Sequence, residues 1–397
     1  MRAGIAVRPP GAHPPDKRLD VCLLDDYQPS ITGTSRYVEQ LTANLRQVGV
    51  RVERCSTQPG GAMRTVLNAG RVFRLDLPTF FTTFPVRLRW PRADLYHLTT
   101  QTYAGVLVLS PPPGPVVVTV HDIIPYLLRN SRTLTHYTHA AHRIFDGLAM
   151  HGLRRAQALL ADSEYTSHCL QSELGIPASR IHVVPLAVDH ERFRPKTSDM
   201  NWRDKYRVPE VPFMLYVGSE QPRKNVPTLL RALEVVHRTR RDVCLVKVGS
   251  PQHGSARGEL LALAAGLGVL DNVIWIDNIA DDDLPLLYNA AAVFVSASVY
   301  EGFGLPIVEA MACGTPVVCA NTAAFSEVAG DAALLVPAQD PCAFARAILS
   351  VLDNPGVRNH MSASGLRQSA GFTWHRTAVE TAAAYGEVTQ TAYDPTR

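Results

Sequence analysis

The sequence predicts an α/β protein of two doubly wound domains, each a parallel sheet between helices, facing each other across a cleft. Three observations carry this. Short apolar runs alternate with helical patterns along nearly the whole chain. The runs are continuous rather than alternating, which marks strands buried on both faces. The alternation fades once, over 189–212, where Pro195, Pro209 and Pro212 fall. A length of 397 residues suffices for two such domains.

The elements follow in order. Residues 1–18, with prolines at 9, 10, 14 and 15, read as a flexible tail. The domain at 19–190 has strands expected at Asp20–Asp25, Arg51–Arg54, Asp94–Leu98, Val116–Val120, Leu159–Asp162 and Ile181–Val184. Ser35–Val48 puts Val38, Leu41, Leu45 and Val48 on one helical face, with Gly49 as its cap. Ser163 reads as the N-cap of a helix over 164–174 that Gly175 ends. Residues 191–212 read as a linker. The domain at 213–371 has strands expected at Phe213–Val217, Val243–Val248, Val273–Ile276, Val293–Ser296, Pro316–Cys319 and Ala333–Val336. Helices are expected at Asp282–Ala291 and Pro306–Cys313, the latter with proline in its first turn. Residues 372–397 carry a last helix that packs back on the first domain.

Composition excludes several classes. Apolar residues make up 46% and charged residues 19%, so the chain as a whole is not disordered. A net charge of +3 makes no case for nucleic-acid binding. The seven cysteines form no CxxC pair, which argues against a zinc ribbon or a disulfide framework and fits a reducing, cytoplasmic setting. Neither a transmembrane run nor a signal peptide is read. Residues 71–92 interleave five arginines with Phe73, Phe80, Phe81, Phe84 and Trp90. Peripheral contact with the inner face of a membrane is one reading of that stretch; a loop packed on the first domain is the other.

Four stretches carry chemistry. In Ser298–Pro316, SVYEGFGLPIVEAMACGTP, a strand passes through a loop with Gly302 and Gly304 into a helix. Glycines admit a close ligand, and a helix start favours an anion. Glu301 and Glu309 would repel phosphate, so they suit sugar and ribose hydroxyls. For Glu309 the competing reading is compensation of the helix dipole. In Tyr216–Asn225, YVGSEQPRKN, Arg223 and Lys224 follow a strand's carboxyl end, where they can hold a diphosphate and stabilise its departure; the plainer reading is a solvated turn. In VVVTVHDIIP, His121 ends a buried strand and faces the cleft, or is a structural histidine. Gly33, before the first long helix, permits close approach to an anion. There is no HExxH, GxSxG, EF-hand loop or Walker A motif, and no metal site is indicated.

These segments, in this order, resemble glycosyltransferase family 4, the retaining group with the GT-B fold. The resemblance runs from about Asp20 to Tyr385, and its most specific part is the E-x7-E pattern from Glu301 to Glu309. It implies a nucleotide-sugar-dependent hexosyltransferase using neither a metal nor a cofactor, with front-face attack. Arg223 and Lys224 would bind the diphosphate. Gly302, Phe303, Gly304 and Leu305 would offer backbone amides, and Glu309 would hold the ribose. Glu301 would orient donor-sugar hydroxyls, His121 would contact the transferred sugar, and Gly33 would approach the phosphate. Gly218 and Ser219 belong to the same donor loop, and the base would pack near Ile279. Two departures stand out: Ser219 replaces an arginine found in many relatives, and Gly33 is single where many have a pair. The RKN loop resembles those of bacterial mannosyltransferases, so GDP-mannose is the favoured donor and a glycan or lipid-linked glycan the expected acceptor. A sugar-nucleotide epimerase or phosphorylase of the same fold, and a non-catalytic nucleotide- or glycan-binding relative, remain as alternatives.

Overall fold

The structure is a computed structural model that describes residues 18–25, 33–56, 90–131, 133–134, 140–196, 201–251 and 256–390. The tail up to residue 17 and most of the basic–aromatic stretch, 71–89, lie outside the described residues.

The apolar runs become strands β1 (Asp20–Asp25), β2 (Arg51–Ser56), β3 (Leu95–Leu98), β4 (Val116–Val120), β5 (Ala158–Ala161) and β6 (Ile181–Val183) in the first lobe. The second lobe has β7 (Phe213–Val217), β8 (Cys244–Val248), β9 (Val273–Ile276), β10 (Val293–Ser296), β11 (Val317–Ala320) and β12 (Ala333–Val336). The strand order is β2-β1-β3-β4-β5-β6 in one sheet and β12-β11-β10-β7-β8-β9 in the other. Every pairing is parallel. Strands β4, β8 and β10 are buried along their whole length, as continuous apolar runs require.

Local signals set the helices. Ser163 accepts a hydrogen bond from the Thr166 amide (3.1 Å), and Gly175 ends the helix Glu164–Leu174 in the left-handed conformation. The first long helix, Gly33–Gln47, starts two residues earlier than expected, so Gly33 lies within it rather than in the preceding loop.

Residues 191–212 are more than a linker: Asn201–Tyr206 form a helix seated on the second lobe. Trp202 is buried with its ring 6.4 Å from that of Phe213, and the Tyr206 hydroxyl donates to Asp283 (2.7 Å). A helix of six residues is too short to display a helical period in the sequence. The last helix, Trp374–Thr389, packs on Gly33–Gln47 in the first lobe. Its Tyr385 hydroxyl bonds His97 Nδ1 on β3 (2.6 Å). Trp90 also belongs to the first lobe. Its indole donates to the Ser110 carbonyl (3.0 Å), and its ring meets Tyr96 edge-on. Among the described residues, no helix is long and apolar enough to cross a membrane.

Candidate active site

Each sheet reverses its winding beside its first strand: β1 lies between β2 and β3, and β7 between β8 and β10. At such a reversal the connections leave to opposite faces and open a crevice beyond the carboxyl ends of the strands. In the second lobe that crevice gathers the loops after β7 and β10. The Val299 amide donates to the Arg223 carbonyl (2.8 Å) and binds the two loops together. Asn225, left-handed at φ 53°, reinforces the junction by donating to the carbonyls of Ala297 (3.2 Å) and Ala338 (2.7 Å). Asparagine tolerates this conformation better than most residues.

The two loops bring three charges together. Glu301 accepts from Arg223 Nη1 (3.0 Å) and Lys224 Nζ (2.5 Å), and Arg223 also donates to the Tyr300 carbonyl (2.8 Å). All three side chains are less than one-fifth exposed, which excludes a solvated turn. Burial alone would raise the Glu301 pKa, but the charges of Lys224 and Arg223 outweigh it and hold the carboxyl at about 2. Burial lowers the Lys224 pKa, against the pull of Glu301.

The first lobe supplies a histidine–carboxylate pair. The register sets Val120 of β4 beside Ala161 of β5, so the next residues, His121 and Asp162, emerge side by side. His121 Nδ1 lies 2.7 Å from Asp162 Oδ2, while its buried Nε2 has no hydrogen-bond partner. Burial works against the imidazolium, but the Asp162 charge and hydrogen bond prevail and raise the His121 pKa. The Tyr37 ring stands edge-on to His121, with centroids 5.0 Å apart.

Between the lobes lies a cleft of about 200 Å³. His121, Lys224, Glu301, Gly302, Phe303, Gly304 and Leu305 line it together with Thr34, Tyr37, Asp122 and Asp162. Arg223, which bonds Glu301, does not line it. Gly33, Gly218, Ser219, Ile279 and Glu309 are not part of that lining. Gly218 has a nearer reason to be glycine, because a Cβ there would lie 2.6 Å from the Tyr216 hydroxyl, which donates to the Ser219 carbonyl. Ile279 packs on the second-lobe core. Glu309 is the fifth residue of the helix Leu305–Ala312, beyond its first turn, and accepts from the buried Tyr288 hydroxyl (2.8 Å). Compensation of the helix dipole therefore does not account for it.

The lobes touch at the site itself. Gly302 lies so close to the first lobe that a Cβ would fall 1.9 Å from the His121 carbonyl oxygen. Ser163 and Thr166 donate to the Gly302 carbonyl (2.6 and 3.3 Å). Glu327 of the second lobe accepts the Glu164 and Tyr165 amides (2.8 and 3.3 Å) at the start of a first-lobe helix. Sequence reasoning missed Tyr37 and Asp162 as lining residues, the bond from Ser163 to the Gly302 carbonyl, and the capping role of Glu327. The β4–β5 register was the signal available for Asp162. Among the described residues, no group of three or more His, Cys, Asp or Glu side chains is placed to hold a metal ion.

Two doubly wound lobes closing on a shared cleft define the GT-B class. Sucrose-phosphate synthase from Thermosynechococcus elongatus has this fold in common with the chain, with a TM-score of 0.71 at 21% identity over 94% of this chain and 100% of that one. An Anabaena protein, HepE, solved with UDP-glucose, gives a TM-score of 0.70 at 20% identity over 93% of this chain and 100% of that one. The chain belongs to glycosyltransferase family 4: residues 31–192 match the model described as Glycosyltransferase Family 4, and residues 199–368 match Glycosyl transferases group 1. It is 33% identical over 248 residues to O-antigen chain mannosyltransferase B of Escherichia coli, covering 59% of this chain and 61% of that protein. It is also 33% identical over 249 residues to a D-inositol 3-phosphate glycosyltransferase of Salinispora tropica, covering 58% and 51%. These matches span little more than half the length of those two relatives.

Proposed function

We propose that the chain is a retaining hexosyltransferase that moves a hexose, mannose favoured, from a nucleoside diphosphate sugar to a glycan or lipid-linked glycan without a metal ion. One observation supports the reading: Lys224 and Glu301, tied to each other and to Arg223, line the same cleft as His121. Arg223 and Lys224 take the diphosphate and stabilise the charge that grows on it as its bond to the anomeric carbon breaks. Backbone amides over Gly302–Leu305, at a helix start, help hold that anion. Gly33 lies on the phosphate side, Glu309 holds the ribose, and the base packs by Ile279 beside the Gly218–Ser219 loop.

Glu301 accepts donor-sugar hydroxyls. Ionised and held by two cations, it makes a poor nucleophile. The acceptor oxygen then attacks the anomeric carbon on the face the diphosphate leaves, its proton passes to the departing phosphate oxygen, and configuration is retained. Asp162 fixes the His121 ring so that Nε2 reaches a hydroxyl of the transferred sugar. The likeness to the Escherichia coli mannosyltransferase supports mannose, and the UDP-glucose complex of the Anabaena protein supports a nucleotide sugar. Setting and acceptor follow from the same reading: the cytoplasm, with growing glycans at the inner membrane face.

The test is transfer from GDP-mannose and from UDP-glucose, in EDTA, by wild type and by Glu301→Gln, Lys224→Ala and His121→Ala. Each variant is expected to lose about 10²–10³ in kcat. Full activity in all three would overturn the assignment. A thermal shift with UDP-glucose and none with GDP-mannose would overturn the favoured donor.

A further inference from the structure

Glu309 sits in an unusual charge environment. Burial pushes its carboxyl pKa up, and the nearest partner in its own lobe is a neutral hydroxyl, that of Tyr288. The Tyr288 hydrogen bond opposes burial first, and the charges of Arg36 and Arg192 add to it from elsewhere in the chain. Arg36, in the first turn of Gly33–Gln47, reaches across the cleft from the first lobe. One of its guanidinium nitrogens bonds Asp281, just after β9, and the other stands 3.8 Å from Glu309 Oε1. Arg192, between the lobes, also bonds Asp281 (3.1 Å).

The division of labour on Glu309 is asymmetric. Tyr288 occupies Oε2. Arg36 lies within ion-pair range of Oε1 but beyond hydrogen-bond range, so it favours the charged form without using that oxygen's acceptor capacity. Asp281 holds the guanidinium at this distance. A carboxylate so placed keeps one oxygen for a ligand hydroxyl.

We propose that Arg36 is a positioning residue of the donor site: from the first lobe it sets its charge beside the second-lobe Glu309 and leaves one of that carboxylate's oxygens open, so the ribose site is complete only while the lobes are closed. This rests on the proposed function, in which Glu309 holds the ribose. Arg36 then belongs to donor binding rather than to the reacting atoms.

The experiment is calorimetric titration of the full chain with GDP and with UDP, together with donor KM and kcat, for wild type, Arg36→Ala and Arg36→Lys. Arg36→Ala is expected to weaken nucleotide binding and raise donor KM by about 10-fold or more, with a much smaller fall in kcat. Arg36→Lys, which keeps the charge, is expected to recover most of the affinity. Thermal melts read the fold separately, and a purely structural role would lower the melting temperature without splitting KM from kcat. Wild-type affinity in a folded Arg36→Ala variant, or a lysine variant no better than alanine, overturns the inference. Failure of wild type to bind either nucleotide overturns the proposed function itself, and the inference with it.

Discussion

The second lobe holds its site residues with charge. Glu301 takes both Arg223 and Lys224. Beside them, Lys247 and Glu220 form an ion pair at 2.6 Å with neither side chain exposed to solvent. Arg257 adds two hydrogen bonds to Glu220 (2.8 and 2.5 Å) and stacks over Trp275. Behind the single His121–Asp162 pair, the first lobe holds its site wall with a nearly neutral relay. Tyr37, whose ring faces His121, bonds Thr119 through its hydroxyl (2.7 Å); Thr119 bonds His97 Nε2 (2.8 Å), and His97 Nδ1 meets Tyr385 (2.6 Å). Burial lowers the His97 pKa to about 3, so its ring stays uncharged. The anion would meet a surface fixed by ion pairs, and the sugar a surface fixed by hydroxyls and one histidine. Orientation can be set without charge, but a diphosphate requires it.

The largest effect expected from breaking this contrast is in the charged lobe. Glu220→Gln leaves Lys247 fully buried with only neutral acceptors, the new amide oxygen and the Gly249 carbonyl, and without the carboxylate that pairs with its charge. Burial already lowers the Lys247 pKa, and Glu220 is what opposes it. Uncompensated buried charge costs about 3–5 kcal/mol. Denaturant unfolding is expected to show a loss of that order. A change under about 1 kcal/mol would mean that the network is not what holds the loop after β7.

The next effect falls where the lobes meet. Gly302→Ala would drive a methyl into the His121 carbonyl, so one lobe must give way. At about 1–3 kcal/mol for overpacking, transfer should fall roughly 10- to 100-fold while each lobe keeps its fold. Ser163→Ala removes a hydrogen bond at the same point without the clash and should cost less. Equal losses from the two would sink the packing explanation for Gly302. Together they separate closeness of the lobes from the bond that joins them.

The same contrast explains what the sequence makes legible. Strands buried on both faces announce themselves as apolar runs, so both sheets can be read, and so can the loops that follow β7 and β10. Charged loop residues such as Arg223, Lys224 and Glu301 stand out against a globular background. Hydroxyl and aromatic members of the relay do not, because Tyr37, His97, Thr119 and Tyr385 are ordinary core residues until four separate elements bring them together. Arg36 and Asp281 lie 245 positions apart and become partners only across the cleft. The reason for Gly302 is likewise a neighbour in the other lobe, whereas its sequence setting suggests a ligand alone.

The smallest expected effect is on pH dependence, and it has opposite signs in the two lobes. Glu301 has its pKa depressed from the ordinary 4.5 to about 2. Its contribution is present above pH 4.5 and lost as pH falls from 4.5 toward 2. His121 has its pKa raised above 6.5 by Asp162. Its contribution is complete below pH 6.5 and lost as pH rises through the raised value. Unfolding free energies of wild type and His121→Asn, measured from pH 5 upward, should therefore converge as pH rises. A gap that stays constant above pH 6.5 would mean that His121 is held by packing against Tyr37 rather than by the Asp162 charge.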